Sequence, residues 1–72
     1  GDFKKLTIVW EKLVQNDPEN WQYRLSLASA YVKIYRDADA IKQLEKTIEI
    51  NPDFKAQGEI FIKQIKEGKL KR

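Results

Sequence analysis

Two pairs of acids, Asp17/Glu19 and Asp37/Asp39, are spaced closely enough to raise the question of general acid–base chemistry. The chain offers them no conventional partners. It contains neither His nor Cys, so nucleophile–base pairs, thiol chemistry, disulfides and ordinary zinc sites are out of reach. The glycines, Gly1, Gly58 and Gly68, are scattered and form no phosphate-cradling loop. Both acid pairs flank expected helix starts, where a carboxylate accepts from free backbone N–H groups, so helix capping is their expected role. The aromatic residues Trp10, Trp21, Tyr23, Tyr31, Tyr35, Phe54 and Phe61 fall mostly on apolar stripes and are expected to pack a core rather than stack on bases. Trp21 and Tyr23 open a helix beside a loop, where either role is open to them. The chain therefore reads as a non-enzyme with no metal site and no cofactor.

Four helices must position these residues. Asp2 can cap the first, in which Phe3, Leu6, Trp10 and Leu13 recur at helical spacing with Val14 beside them. Asn16-Asp17-Pro18 stops it, because proline disfavours helix in the residue before it. Asn20 can cap the second, from Trp21 to about Ile34. That helix carries two stripes, Leu27/Ala28/Tyr31/Ile34 and Leu25/Ser29/Val32, as a helix packed on more than one side requires. Asp37 is the expected cap of the third, whose buried face is Ala40, Ile41, Leu44, Thr47 and Ile48. Asn51-Pro52 ends it. The fourth runs from about Asp53 to Glu67 with Phe54, Phe61 and Ile65 inward. Gly58 inside it costs roughly 1 kcal/mol relative to Ala, and Gly68 is placed to terminate it. Residues 69–72 are expected to be a basic disordered tail.

A chain of 72 residues can bury only a thin core. Its longest apolar runs, such as Ile8-Val9-Trp10 and Ile60-Phe61-Ile62, are far too short for a transmembrane helix. The net charge of +3 is uneven. Lys63, Lys66, Lys69, Lys71 and Arg72 face a single acid, Glu67, near the end, while the rest is close to neutral. Such a tail could touch nucleic acid or anionic lipid. A solvated chain end that complements a helix dipole is the favoured reading, so contact with either is not expected.

The most informative pattern is an internal recurrence. Glu11-Lys12-Leu13-Val14-Gln15-Asn16-Asp17-Pro18 returns 34 residues later as Glu45-Lys46-Thr47-Ile48-Glu49-Ile50-Asn51-Pro52. A period near 34 marks stacked helix–turn–helix units. The intervening residues read Arg24-x₂-Leu27-Ala28-x₂-Tyr31, then Ala40-x₃-Leu44, then Pro52. This resembles the tetratricopeptide pattern W-x₂-L-G-x₂-Y, A-x₃-F, P. Arg24 replaces the Trp. Tyr35 and Asp37 stand where the family usually has glycine and an aromatic in the turn between paired helices.

The resemblance implies an all-α fold of antiparallel helix pairs, about four helices in a right-handed solenoid segment. Residues 1–18 would be the second helix of a preceding repeat, 19–54 a complete repeat and 55–68 a capping helix. By this reading the chain is expected to come from the C-terminal end of a longer array. In the family, the first helix of each pair lines a concave groove that binds partners. Carried over by position, that face is Gln22, Leu25, Ser26, Ser29, Val32 and Lys33, continued on the last helix by Ala56, Ile60 and Lys63. The Lys and Asn with which some members clamp a peptide carboxylate are Leu25 and Ser29 here, so that clamp is not expected. What remains is an apolar strip with a cationic edge, suited to an amphipathic helix or extended apolar segment. The expected function is a non-catalytic protein–protein interaction module. The alternative is a structural repeat appendage of an enzyme or membrane protein, with no ligand of its own. The first helix lacks its pairing partner, so some of Phe3, Leu6, Trp10 and Leu13 should be exposed, and a homodimer is an expected consequence.

Overall fold

The computed structural model describes residues 2–72 and is helical, with no strand among them. Helix α1 spans Phe3–Asn16, α2 Trp21–Lys33, α3 Asp37–Ile50 and α4 Lys55–Lys66. A short 3₁₀ turn, Pro52–Phe54, leads into α4, so the α-helix begins two residues later than the sequence suggests. Proline suits this first turn because its missing N–H would have no partner there.

Local chemistry sets the ends. The Lys5 N–H donates to Asp2 Oδ1 at 3.1 Å, and the Tyr23 N–H donates to Asn20 Oδ1 at 3.1 Å, so both expected caps form. The turn between α1 and α2 is tightened by the Asn20 amide donating to Asp17 Oδ2 and by Arg24 Nε donating to the Pro18 carbonyl. Helix α4 closes at Gly68, where φ is +65°. There the Gly68 N–H reaches the Ile65 carbonyl and the Lys69 N–H the Gln64 carbonyl, at 3.2 and 3.0 Å. Helix α2 closes with the same pair of bonds, from Tyr35 to Val32 and from Arg36 to Tyr31. Here the left-handed residue is Tyr35, at φ +62°. This cap normally takes glycine, since a Cβ crowds the following carbonyl.

That turn corrects the expectation for Asp37. The residue flanking α3 is Arg36, whose carbonyl accepts the Ala40 N–H, and no side chain caps the helix. The left-handed step at Tyr35 leaves Arg36 in the flanking position and carries Asp37 into the first turn of α3. Asp37 and Asp39 still favour the helix dipole there. Each carboxylate is engaged by arginine, Asp37 by Arg72 and Asp39 by Arg36. Neither acid pair therefore serves as a side-chain N-cap.

The packing order follows the chain. Helix α2 lies between α1 and α3, and α3 carries α4 on its other side. Being central, α2 buries residues toward both neighbours, Leu27, Ala28, Ala30, Tyr31 and Val32, while Gln22, Ser29 and Lys33 stay exposed on one face. Ala28 and Ala40 are both fully buried, as small side chains at close helix approaches must be. Leu44, Val14 and Ile65 complete the core, with Trp10, Tyr23, Phe54, Phe61 and Leu70 against it. Trp10 and Tyr23 join α1 to α2 with ring centres 5.9 Å apart, and Trp21 meets Phe54 at 5.7 Å, so the helix-opening aromatics are packing residues. The two buried threonines satisfy their hydroxyls within their own helices, Thr7 on the Phe3 carbonyl and Thr47 on the Gln43 carbonyl.

The sequence recurrence is also a recurrence of contact. Val14 enters the core beside Leu27 and Tyr31 of α2. Ile48, 34 residues on, lies against α4, where a Cβ added to Gly58 would sit 2.7 Å from Ile48 Cδ1. Each recurring residue faces the helix that follows its own. Gly58 is thus a close-approach residue, which accounts for a glycine in the middle of α4.

The end of the chain differs from expectation. Residues 69–72 do not form a free tail. Leu70 packs on the core, and Arg72 bonds to Asp37 across the α2–α3 corner. The terminating turn at Gly68 reverses the chain toward that corner.

Candidate functional site

The surface opens into a cleft of about 430 Å³ between α1 and α2. Antiparallel packing brings Phe3, Leu6 and Trp10 of α1 opposite Leu25, Ser26, Ser29, Ala30 and Lys33 of α2. The two sets meet because α1 presents residues at helical spacing along one stripe and α2 offers small side chains opposite it. The Ser29 hydroxyl is turned back onto the Leu25 carbonyl, at 3.2 Å, which leaves that wall largely apolar. Phe3 and Leu6 are 36% and 41% exposed, high values for large apolar residues, and they form the open lip.

One end of the cleft is cationic. Lys33 Nζ lies 5.7 Å from the centre of the Phe3 ring, and Lys4 shares an adjoining depression with Asp2, Phe3, Lys33 and Ile34. The Asp2 carboxylate, which caps α1 at the same end, meets the positive end of that helix dipole. The arrangement can seat an apolar helix or strip whose negative end lies toward Lys33.

The residues expected to form a groove divide into three groups. Leu25, Ser26, Ser29 and Lys33 do line the cleft. Val32 does not: it is only 5% exposed and belongs to the core, because α2 is covered on that side too. Gln22 is exposed but outside the cleft, and Ile60, 58% exposed, stands on α4 away from it. Lys63 lines a separate depression with Glu59, Ile62, Lys66 and Glu67. Ala56 is exposed on the same helix. Helix α4 packs on α3, so its outward face does not extend the α2 strip.

The half of the cleft supplied by α1 was not among the expected site residues, although exposure of its face was anticipated. The signal lay in the recurrence. Leu6 and Trp10 stand 34 residues before Ala40 and Leu44, the fully buried residues by which α3 receives α2. The equivalent positions on α1 are bulkier and lack such a covering helix.

On the far edge of α1, Ile8, Glu11, Lys12, Val14 and Gln15 border a second, more polar hollow closed by Leu27, Tyr31 and Gln43. Gln43 in turn accepts from Arg24, Nη1 to Oε1 at 3.0 Å. The Tyr31 phenol is held protonated by burial and by its bond to Glu11, which suits a structural tie rather than proton transfer. Among the described residues no group of three or more His, Cys, Asp or Glu gathers to hold a metal, and no helix is long and apolar enough to cross a membrane.

No protein-family model matches the sequence, and no curated protein or solved structure is significantly similar to it.

Proposed function

We propose that this chain is a non-catalytic protein–protein interaction module of the tetratricopeptide type, with the α1–α2 cleft as its partner-binding face. The observation that carries the reading is the cleft itself: exposed Phe3 and Leu6 facing Leu25 and Ala30, with Lys33 at one end. Contiguous exposed apolar surface on a small domain marks an interaction site. The repeat assignment rests on the 34-residue recurrence and on the matching contacts of Val14 and Ile48. The partner supplies an amphipathic helix or an extended apolar segment that fills the lip and places negative charge near Lys33.

The test compares three proteins in affinity capture from the native source: the chain, a Leu6→Glu/Leu25→Glu variant, and a Lys69→Ala/Lys71→Ala variant. Circular dichroism establishes that each is folded. Partners should be retained by the chain and by the tail variant and lost by the cleft variant. Retention by the cleft variant with loss by the Lys69→Ala/Lys71→Ala variant would move the binding to residues 69–72.

A further inference from the structure

The α2–α3 corner concentrates features that the interaction surface does not use. Tyr35 holds a left-handed conformation that favours glycine, yet it is a large aromatic residue that is 72% exposed. Asp37 opens α3 without capping it. The guanidinium of Arg72 sits between them. Its Nη1 and Nη2 donate to the two oxygens of Asp37 at 2.6 and 2.9 Å. Nη1 also donates to the Val32 carbonyl at 3.3 Å, one of the last carbonyls of α2. The group's carbon lies 4.6 Å from the centre of the Tyr35 ring. The Arg72 side chain is only 12% exposed.

These parts match one chemistry. A planar guanidinium offers a fork of donors to a carboxylate and a flat face to an aromatic ring. Asp37 receives the fork, the Val32 carbonyl accepts a further N–H and Tyr35 supplies the platform. An ammonium has neither the fork nor the plane. The neighbouring lysines reflect this: Lys69 pairs with Glu67 at 3.1 Å, and Lys71 is exposed. Glycine at position 35 would make the same turn without a ring, so the site also accounts for a tyrosine in that conformation.

We propose that the α2–α3 corner is a binding site for the guanidinium group of arginine. Arg72 fills it in cis, and it accepts an arginine side chain from another polypeptide when Arg72 is withdrawn. Residues 69–72 are then a latch that holds Leu70 on the core, and the site opens when the latch lifts.

The test uses the full chain and its Arg72→Ala variant, ¹⁵N-labelled and titrated with N-acetyl-arginine amide and, separately, with N-acetyl-lysine amide. The Arg72→Ala protein should show saturable shifts at Val32, Tyr35 and Asp37 with the arginine derivative, and a response on the order of tenfold weaker with the lysine derivative. The unmodified chain, its site occupied, should respond to neither at those residues, and Arg72→Ala/Asp37→Asn should lose the arginine response. Equal responses to the two derivatives, or no saturable response from folded Arg72→Ala, would overturn the proposal. Arg72→Lys provides a second measurement that keeps the charge. It should release the latch, seen as faster amide exchange at Lys69 and Leu70, whereas exchange unchanged from the parent chain would count equally against the site.

Discussion

Tyr31 and Glu11 tie α1 to α2 through a single short hydrogen bond, the phenol donating to Glu11 Oε2 at 2.6 Å. Arg36 lies over the same ring, its guanidinium carbon 4.5 Å from the ring centre. Burial, and then the bond to Glu11, push the phenol's pKa from 10.0 up to about 12. The protonated phenol is the form the fold prefers. Its contribution to stability is therefore complete below pH 10 and is lost as the pH climbs through about 12. Tyr31→Phe should lower stability by about 1 kcal/mol at neutral pH, the typical net worth of such a bond. Urea unfolding from neutral to strongly alkaline pH checks both points. The gap between the two proteins should narrow over that alkaline window, and parallel curves would show that the bond does not contribute to folding.

Tyr35 supplies a prediction whose sign runs against ordinary propensity. Both Tyr35→Ala and Tyr35→Gly remove the ring and its stacking on Arg72, so the difference between them isolates the backbone. At φ +62° a Cβ is strained, and the glycine variant should be the more stable of the two by about 1 kcal/mol. In a helix interior the order would be reversed. Equal melting midpoints would mean that the turn relaxes once the ring is gone.

Gly58 tests the approach of α4 to α3. Helix propensity alone gives Gly58→Ala a gain of roughly 1 kcal/mol. The added Cβ would meet Ile48 Cδ1 at 2.7 Å and Cγ1 at 2.8 Å, so Ile48 has to move. We expect Gly58→Ala to be neutral or destabilising in the native background, and stabilising once Ile48→Ala has made room. A double-mutant cycle read by thermal unfolding measures the coupling. Additive effects would place the two residues out of contact.

The lip of the cleft predicts self-association. Phe3 and Leu6 on one side of α1, with Ile8 and Val9 at 54% and 52% exposure, give that helix four exposed large apolar side chains among its lysines. Covering it with a second copy, most simply about a two-fold axis, would bury this surface. Sedimentation at micromolar concentration should show a dimer that Leu6→Glu returns to monomer with its helical content intact. A monomer across that range would show that the chain tolerates the open face.

What the sequence alone determined is local or periodic. Apolar spacing and proline stops place four helices, Asp2 and Asn20 announce their caps through short-range bonds to the N–H groups three residues on, and Gly68 announces a left-handed turn. The 34-residue recurrence carries the packing order as well, because Val14 and Ile48 occupy equivalent places and each faces the next helix. Tertiary structure decided the rest. Whether Val32 is a groove residue or a core residue depends on what covers α2 on its second side, and a stripe on one helix does not encode its neighbour. The cleft needs Phe3, Leu6 and Trp10 from α1 as much as Leu25 from α2, so a reading confined to one helix finds half of it. Asp37 looks like a cap in sequence because short acids often are caps. Its partner, Arg72, lies 35 residues away, and only the reversal at Gly68 brings that cation back to it. Helical periodicity and capping act within a few residues, whereas the cleft and the arginine corner arise from contacts between helices.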